Sequence, residues 1–96
     1  MDESEKTFAE KALGELMEMR ANGQNDTAKL RALADRIQLR SDNIGFSSKA
    51  VSDPARSSAW LAVKALLQAV ETRSGDLPRL YGQAISQTKL WIGALG

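Results

Sequence analysis

The sequence predicts an all-α fold: a small four-helix bundle of two antiparallel helical hairpins, forming a single helical domain over residues 1–96. Two observations predict this fold. Apolar residues recur every three to four positions in four separate segments, which is the period of an amphipathic helix. Each segment is bounded by residues that start or stop helices, namely aspartate caps, proline and glycine. The hydrophobic content of 43% is ordinary for one globular domain of this length.

The first two helices are expected to form a hairpin. The first is predicted over about residues 3–21, and the following Asn22-Gly23 ends it because glycine tolerates the left-handed conformation of a C-cap. The second is predicted over about residues 27–40, with Asp26 as its N-cap. The connection between them is short, and short connections join antiparallel neighbours.

A loop of about 13 residues, 41–53, is expected to join the two hairpins, because it is rich in Ser, Asp, Asn and Gly. The third helix is predicted over about residues 54–73. Asp53 would cap it, and Pro54 would occupy its first position, where a missing N–H costs nothing.

The fourth helix is predicted over about residues 77–95, with Asp76 as its cap and Pro78 in its first turn. Its apolar stripe reaches the last turn of the chain, whereas exposed chain ends are normally polar. We therefore expect another element or a second copy of the chain to cover it, and we predict self-association through five of its residues: Tyr81, Ile85, Trp91, Ile92 and Leu95. The glycines Gly82 and Gly93 on this helix suggest close packing against another helix.

The composition excludes much catalytic chemistry. The chain has no cysteine and no histidine, so disulfides, thiolate nucleophiles, Cys/His zinc sites and imidazole acid–base catalysis are ruled out. The glutamates of the first helix alternate with lysines, which is typical of a solvated face. We therefore expect a protein that is not an enzyme, with no catalytic residues, no metal and no cofactor.

The expected location is the cytoplasm. The polar, acidic start MDESEKTF does not resemble a signal peptide. No stretch approaches the ~20 apolar residues that span a bilayer, so no membrane association is expected.

The favoured function is a protein-binding module, an adaptor or inhibitor that self-associates and docks on a partner protein of unknown identity. Phage and mobile-element inhibitors of bacterial defence systems belong to this class and are of similar size. Charged side chains on the first two helices are the expected partner-binding surface: Glu10, Glu15, Lys29, Arg36 and Arg40.

Two alternatives remain open. One is an oligomeric protein that sequesters a nucleotide or small ligand, because an aromatic ring between cations can stack a base while the cations hold phosphates. Its contact residues would be Arg56, Trp60, Lys64, Arg79 and Tyr81. The other is nucleic-acid binding by the basic positions of residues 29–40. It is disfavoured because the net charge is only +1.

Overall fold

A computed structural model describes residues 5–22, 26–42 and 52–95, excepting the side chains of residues 40–42, 52 and 53. These ranges contain four α-helices and no strand, which confirms the all-α prediction. The helices are α1 (Glu5–Ala21), α2 (Thr27–Asp42), α3 (Ser52–Thr72) and α4 (Leu77–Ala94).

Helices α2 and α3 run antiparallel, as do α1 and α4, and this arrangement is compatible with the two predicted hairpins. Arg31 near the start of α2 pairs with Glu71 near the end of α3, and Glu5 at the start of α1 contacts Trp91 near the end of α4. The most extensive interface joins α3 to α4, and further interfaces join α1 to α4 and α2 to α3. No comparable interface joins α1 to α2, so the bundle is more open on that side.

The joining loop is shorter than predicted. Helix α2 continues to Asp42 and α3 begins at Ser52, so four of the thirteen predicted loop residues are helical. Asp53 therefore lies within α3 and is not its cap. Pro54 does not prevent this earlier start, because N–H groups in the first turn of a helix have no intrahelical partner. The remaining loop residues, 43–51, lie outside the described residues, as do residues 3 and 4 of the predicted first helix.

The predicted caps of α2 and α4 are confirmed. The Asp26 carboxylate accepts a hydrogen bond from the Lys29 backbone N–H at 3.0 Å, and the Asp76 carboxylate accepts one from the Arg79 N–H at 3.4 Å. Pro78 occupies the first turn of α4. A side-chain cap of this kind contributes about 1 kcal/mol.

The turn between α3 and α4 depends on left-handed backbone. Arg73 has a φ of 54° and Gly75 a φ of 83°, so α3 ends one residue earlier than predicted. A Cβ added at Gly75 would also lie 3.3 Å from the Leu80 side chain. Glycine therefore allows the chain to reverse tightly and brings α4 directly back onto α3.

All four helices contribute to one hydrophobic core. Tyr81 and Trp91 are fully buried in it, and Ile85 is 5% exposed. Ile92 and Leu95 are partly buried against it. The apolar stripe of α4 is thus covered largely within the same chain, and three of the five residues assigned to self-association are not at the surface. Self-association itself remains a prediction.

The expectation of close packing at the α4 glycines is wrong within the chain. A Cβ added at Gly82 or Gly93 would meet nothing within 4 Å. Both glycines face open space, because the buried stripe lies on the other side of the helix.

A buried carboxylate ties the start of α1 to α3 and α4. The Glu5 Oε2 accepts hydrogen bonds from the Arg56 guanidinium at 3.0 Å and from the Trp91 indole N–H at 2.8 Å. The side chains of Glu5 and Arg56 are only 4% and 11% exposed. The Phe8 ring packs near Trp91 at a centroid distance of 6.1 Å. We call Glu5, Arg56 and Trp91 the carboxylate cluster.

We expect Glu5→Ala to reduce the free energy of unfolding by about 3 kcal/mol, because it removes the carboxylate that pairs with the largely buried Arg56 guanidinium and accepts the Trp91 indole N–H. The matched control is Glu71→Ala, which breaks the exposed pair with Arg31 and is expected to cost at most about 1 kcal/mol. Urea unfolding followed by circular dichroism measures both values. A similar loss in the two variants would contradict the importance of the carboxylate cluster.

The single tyrosine of the chain carries a buried hydroxyl. The Tyr81 side chain is fully buried, and its hydroxyl has no hydrogen-bond partner among the described residues. Burial raises the pKa of Tyr81 above its ordinary value of 10.0, and the negative charge of Asp26 raises it further. The folded protein therefore holds the phenol in its neutral form.

We expect Tyr81→Phe to raise the free energy of unfolding by about 1 kcal/mol at neutral pH, because it removes a buried hydroxyl that lacks a partner. The difference should widen above about pH 10. There the unfolded tyrosine loses its proton while the buried one keeps it, so ionisation favours unfolding of the wild type alone. Urea unfolding between about pH 7 and 11 compares the two proteins. Parallel pH profiles would argue against the buried environment of the phenol.

Candidate functional site in the groove between the first two helices

The open side of the bundle forms a groove between α1 and α2. Its volume is about 270 Å³, and its lining residues define the α1–α2 groove: Phe8, Lys11, Ala12, Glu15, Leu33, Arg36 and Leu39. Phe8, Ala12 and Leu33 are buried and form an apolar floor. The groove thus combines apolar side chains from two helices with charged residues at its edge.

One ion pair crosses the groove from helix to helix. The Arg36 Nη2 donates to the Glu15 Oε1 at 2.6 Å, and the two side chains are 48% and 35% exposed. The Arg36 Nε also donates to the Ala32 carbonyl at 3.4 Å, one turn earlier in α2. The pair is therefore accessible to solvent and to a partner.

An exposed leucine lies beside this pair. Leu39 is 60% exposed, similar to Leu61 on α3 and Leu90 on α4, which are 59% and 60% exposed. A hollow beside Leu61 is lined by residues of α3 alone, so it is an outward surface of one helix. Leu39 instead lines a groove formed by two helices, and this sets it apart from Leu61.

A larger hollow, of about 740 Å³, lies at the opposite end of the bundle. Its lining comes from the turn between α3 and α4 and from the adjacent ends of α2, α3 and α4: Thr27, Val70, Glu71, Arg73, Ser74, Gly75 and Leu77. The Glu71 carboxylate is already paired with Arg31, and none of the lining residues is fully buried. This hollow lacks the apolar floor that the α1–α2 groove provides.

The structure brings together two of the five residues predicted to bind a partner. Glu15 and Arg36 were expected on separate helical surfaces, and they face each other across the groove. Lys29 lies beside Asp26, with its Nζ 4.0 Å from the carboxylate. Glu10 is exposed on a different face of α1 from Glu15. The side chain of Arg40 lies outside the described residues.

The five residues predicted to contact a ligand do not form one site. Arg56 is engaged by Glu5, while the Lys64 Nζ lies 5.6 Å from the centroid of the half-buried Trp60 ring. Arg79 lies at the start of α4, and Tyr81 is buried in the core near it. Ten residues of helix separate Tyr81 from the carboxylate cluster, which corresponds to about 15 Å.

Sequence reasoning missed Glu5, Lys11 and Leu39. Leu39 carried a usable signal: it is an apolar residue that falls outside the buried stripe of α2, two positions after Ile37. Glu5 carried none, because its partners are separated from it by 51 and 86 positions.

Within residues 5–22, 26–42 and 52–95, no group of three or more acidic, histidine or cysteine side chains is placed to hold a metal ion. No helix in the same ranges is both long and apolar enough for a membrane span.

The chain was compared with models of known protein families, with curated proteins and with solved structures, and none of these comparisons found a match.

We expect Glu15→Gln and Arg36→Gln each to change the free energy of unfolding by at most about 1 kcal/mol, because the pair is partly exposed and screened by solvent. Circular dichroism at 222 nm and urea unfolding measure helicity and stability. A loss of unfolding free energy as large as that expected for Glu5→Ala would show that the pair stabilises the packing of α1 on α2. Its role would then not be limited to docking.

Proposed function

We propose that this chain is a non-catalytic protein-binding module, an adaptor or inhibitor, that docks a partner protein through the α1–α2 groove. The supporting observation is the groove itself: a buried apolar floor, the exposed Leu39 and a charged edge. Protein interfaces have this anatomy, with an apolar centre and a polar rim. The absence of cysteine and histidine from the sequence also favours binding over catalysis.

The size of the groove favours a protein partner over a small molecule. Its volume of about 270 Å³ is below the ~300–1,000 Å³ typical of small-molecule pockets. A volume of this size accommodates one or two apolar side chains from a larger surface. Grooves between helices commonly receive such anchors from an amphipathic helix.

The proposal includes the expected cytoplasmic location and self-association. Because Tyr81, Ile85 and Trp91 are buried, any self-association uses surface other than these three residues. Docking at the groove requires neither property.

The test is quantitative affinity capture from cells that naturally express the chain, with Leu39→Glu as the variant and Leu61→Glu as the matched control. Both leucines are equally exposed, so both substitutions should leave the fold intact. A charge at Leu39 would have to be buried against the partner's apolar anchor. We therefore expect recovery of the partner to fall at least about tenfold with Leu39→Glu, which corresponds to about 1.4 kcal/mol, and to stay unchanged with Leu61→Glu. If both variants recover the same proteins in the same amounts as the wild type, the groove is not the docking site.

A further inference from the structure

The contacts of α1 indicate that this helix is able to leave the bundle while the other three helices stay packed. We propose that α1 opens as one unit and that the carboxylate cluster is the latch that holds it closed. Because the α1–α2 groove takes four of its seven lining residues from α1, the opening of α1 takes the groove apart. This link to docking rests on the proposed function, whereas the opening itself does not.

Helix α1 has an extensive interface with only one of the other described helices. That neighbour is α4, and no comparable interface joins α1 to α2 or to α3. The pair of Glu15 and Arg36, which bridges α1 to α2, is partly exposed, and pairs of this kind contribute little to stability. The other three helices are joined without α1: the α3–α4 interface is the most extensive, and α2 packs on α3.

Two features of α1 itself lower the cost of opening. Gly14 lies in the middle of the helix, where glycine is less stable than alanine, and a Cβ at this position would meet nothing within 4 Å. The other feature is the Glu5 carboxylate. Its Oε2 accepts two hydrogen bonds, whereas its Oε1 is buried and has no hydrogen-bond partner among the described residues. Exposure of this oxygen to water therefore offsets part of the loss of the two bonds.

Helix α2 differs from α1 in both features. It contains no glycine and no buried charged side chain among its described residues. Its first turn is capped by Asp26, and Arg31 pairs with Glu71 on α3. We therefore place the opening at α1 and expect α2 to stay on α3.

The latch acts at the first turn of α1. Glu5 is bonded to Arg56 on α3 and to Trp91 on α4, and Phe8 packs near Trp91 while also lining the groove. The latch thus fixes the part of α1 that supplies the groove floor. Most helical stability in proteins comes from tertiary packing, so α1 loses its backbone hydrogen bonds once it is detached. Amide hydrogen exchange detects such a local opening.

The experiment is native-state hydrogen exchange on the full chain, with the same substitution made at two glycines. In the wild type, we expect amides of α1 to be at least about tenfold less protected than those of α3 and α4. Gly14→Ala stabilises closed α1, so it should slow exchange in α1 and in α3–α4 alike, by about fourfold.

Gly75→Ala is the matched substitution. It strains the left-handed turn between α3 and α4, and this turn stays formed when only α1 has opened. It should therefore speed exchange in α3 and α4 at least about fivefold and leave exchange in α1 unchanged. If α1 and α3 have equal protection and respond equally to Gly75→Ala, α1 opens only by global unfolding and the proposal is wrong.

The latch is tested by Glu5→Ala, with Glu71→Ala as its control. We expect Glu5→Ala to speed exchange in α1 at least about tenfold, because the closed state loses the carboxylate that fastens it. Glu71→Ala breaks the pair between α2 and α3, which persists in the open state, so exchange in α1 should not change. Exchange in α1 that is as slow in Glu5→Ala as in the wild type would show that the carboxylate cluster is not the latch. The glycine pair does not depend on whether Glu5→Ala stays folded.

The link to docking is tested with a helical peptide selected from a display library on the full chain. At ten times its Kd, a peptide that binds only closed α1 slows exchange in α1 about tenfold. Protection of α3 and α4 without protection of α1 would overturn the link between α1 and docking. Protection that persists unchanged in Leu39→Glu would contradict the groove as the docking site, while the two glycine variants still decide whether α1 opens.

Discussion

The buried carboxylate of Glu5 determines how α1 lies in the bundle. A buried charge is tolerated only where it is paired and hydrogen-bonded, and this carboxylate receives one bond from Arg56 on α3 and one from Trp91 on α4. Replacement of such a pair by apolar residues is often neutral for stability. We therefore assign the carboxylate cluster a role in positioning: it holds the first turn of α1 against α3 and α4.

The contacts of α1 are concentrated on one neighbour. Glu5 and the packing of Phe8 on Trp91 hold α1 against α4, whereas α1 has no comparable interface with α2. The two helices are instead bridged by the exposed pair of Glu15 and Arg36. The α3–α4 side is different, because the tight turn at Gly75 and the buried Tyr81 close it completely. The same core thus produces one closed side and one open side.

The sequence was sufficient to predict the local features of the fold. Helical periodicity located four helices, and the caps at Asp26 and Asp76 are where the sequence predicts them, because capping depends on residues only three positions apart. The ends of the joining loop were harder to predict, since a proline in the first turn does not specify where a helix begins. The candidate site was the least predictable part. Glu15 and Arg36 face each other because of how α1 and α2 pack, which the sequence pattern of either helix does not specify. The role of Glu5 depends on contacts with distant parts of the chain.

The most direct test of the account is methyl NMR of the leucine-labelled chain titrated with a helical peptide enriched by selection on the full chain. Binding in the α1–α2 groove predicts the largest shifts at the methyl groups of Leu39 and Leu33, with those of Leu61 and Leu90 unchanged. If the largest shifts occur at Leu61 or Leu90, the peptide binds the outer face of α3 or α4, and the assignment of the groove as the docking site is wrong.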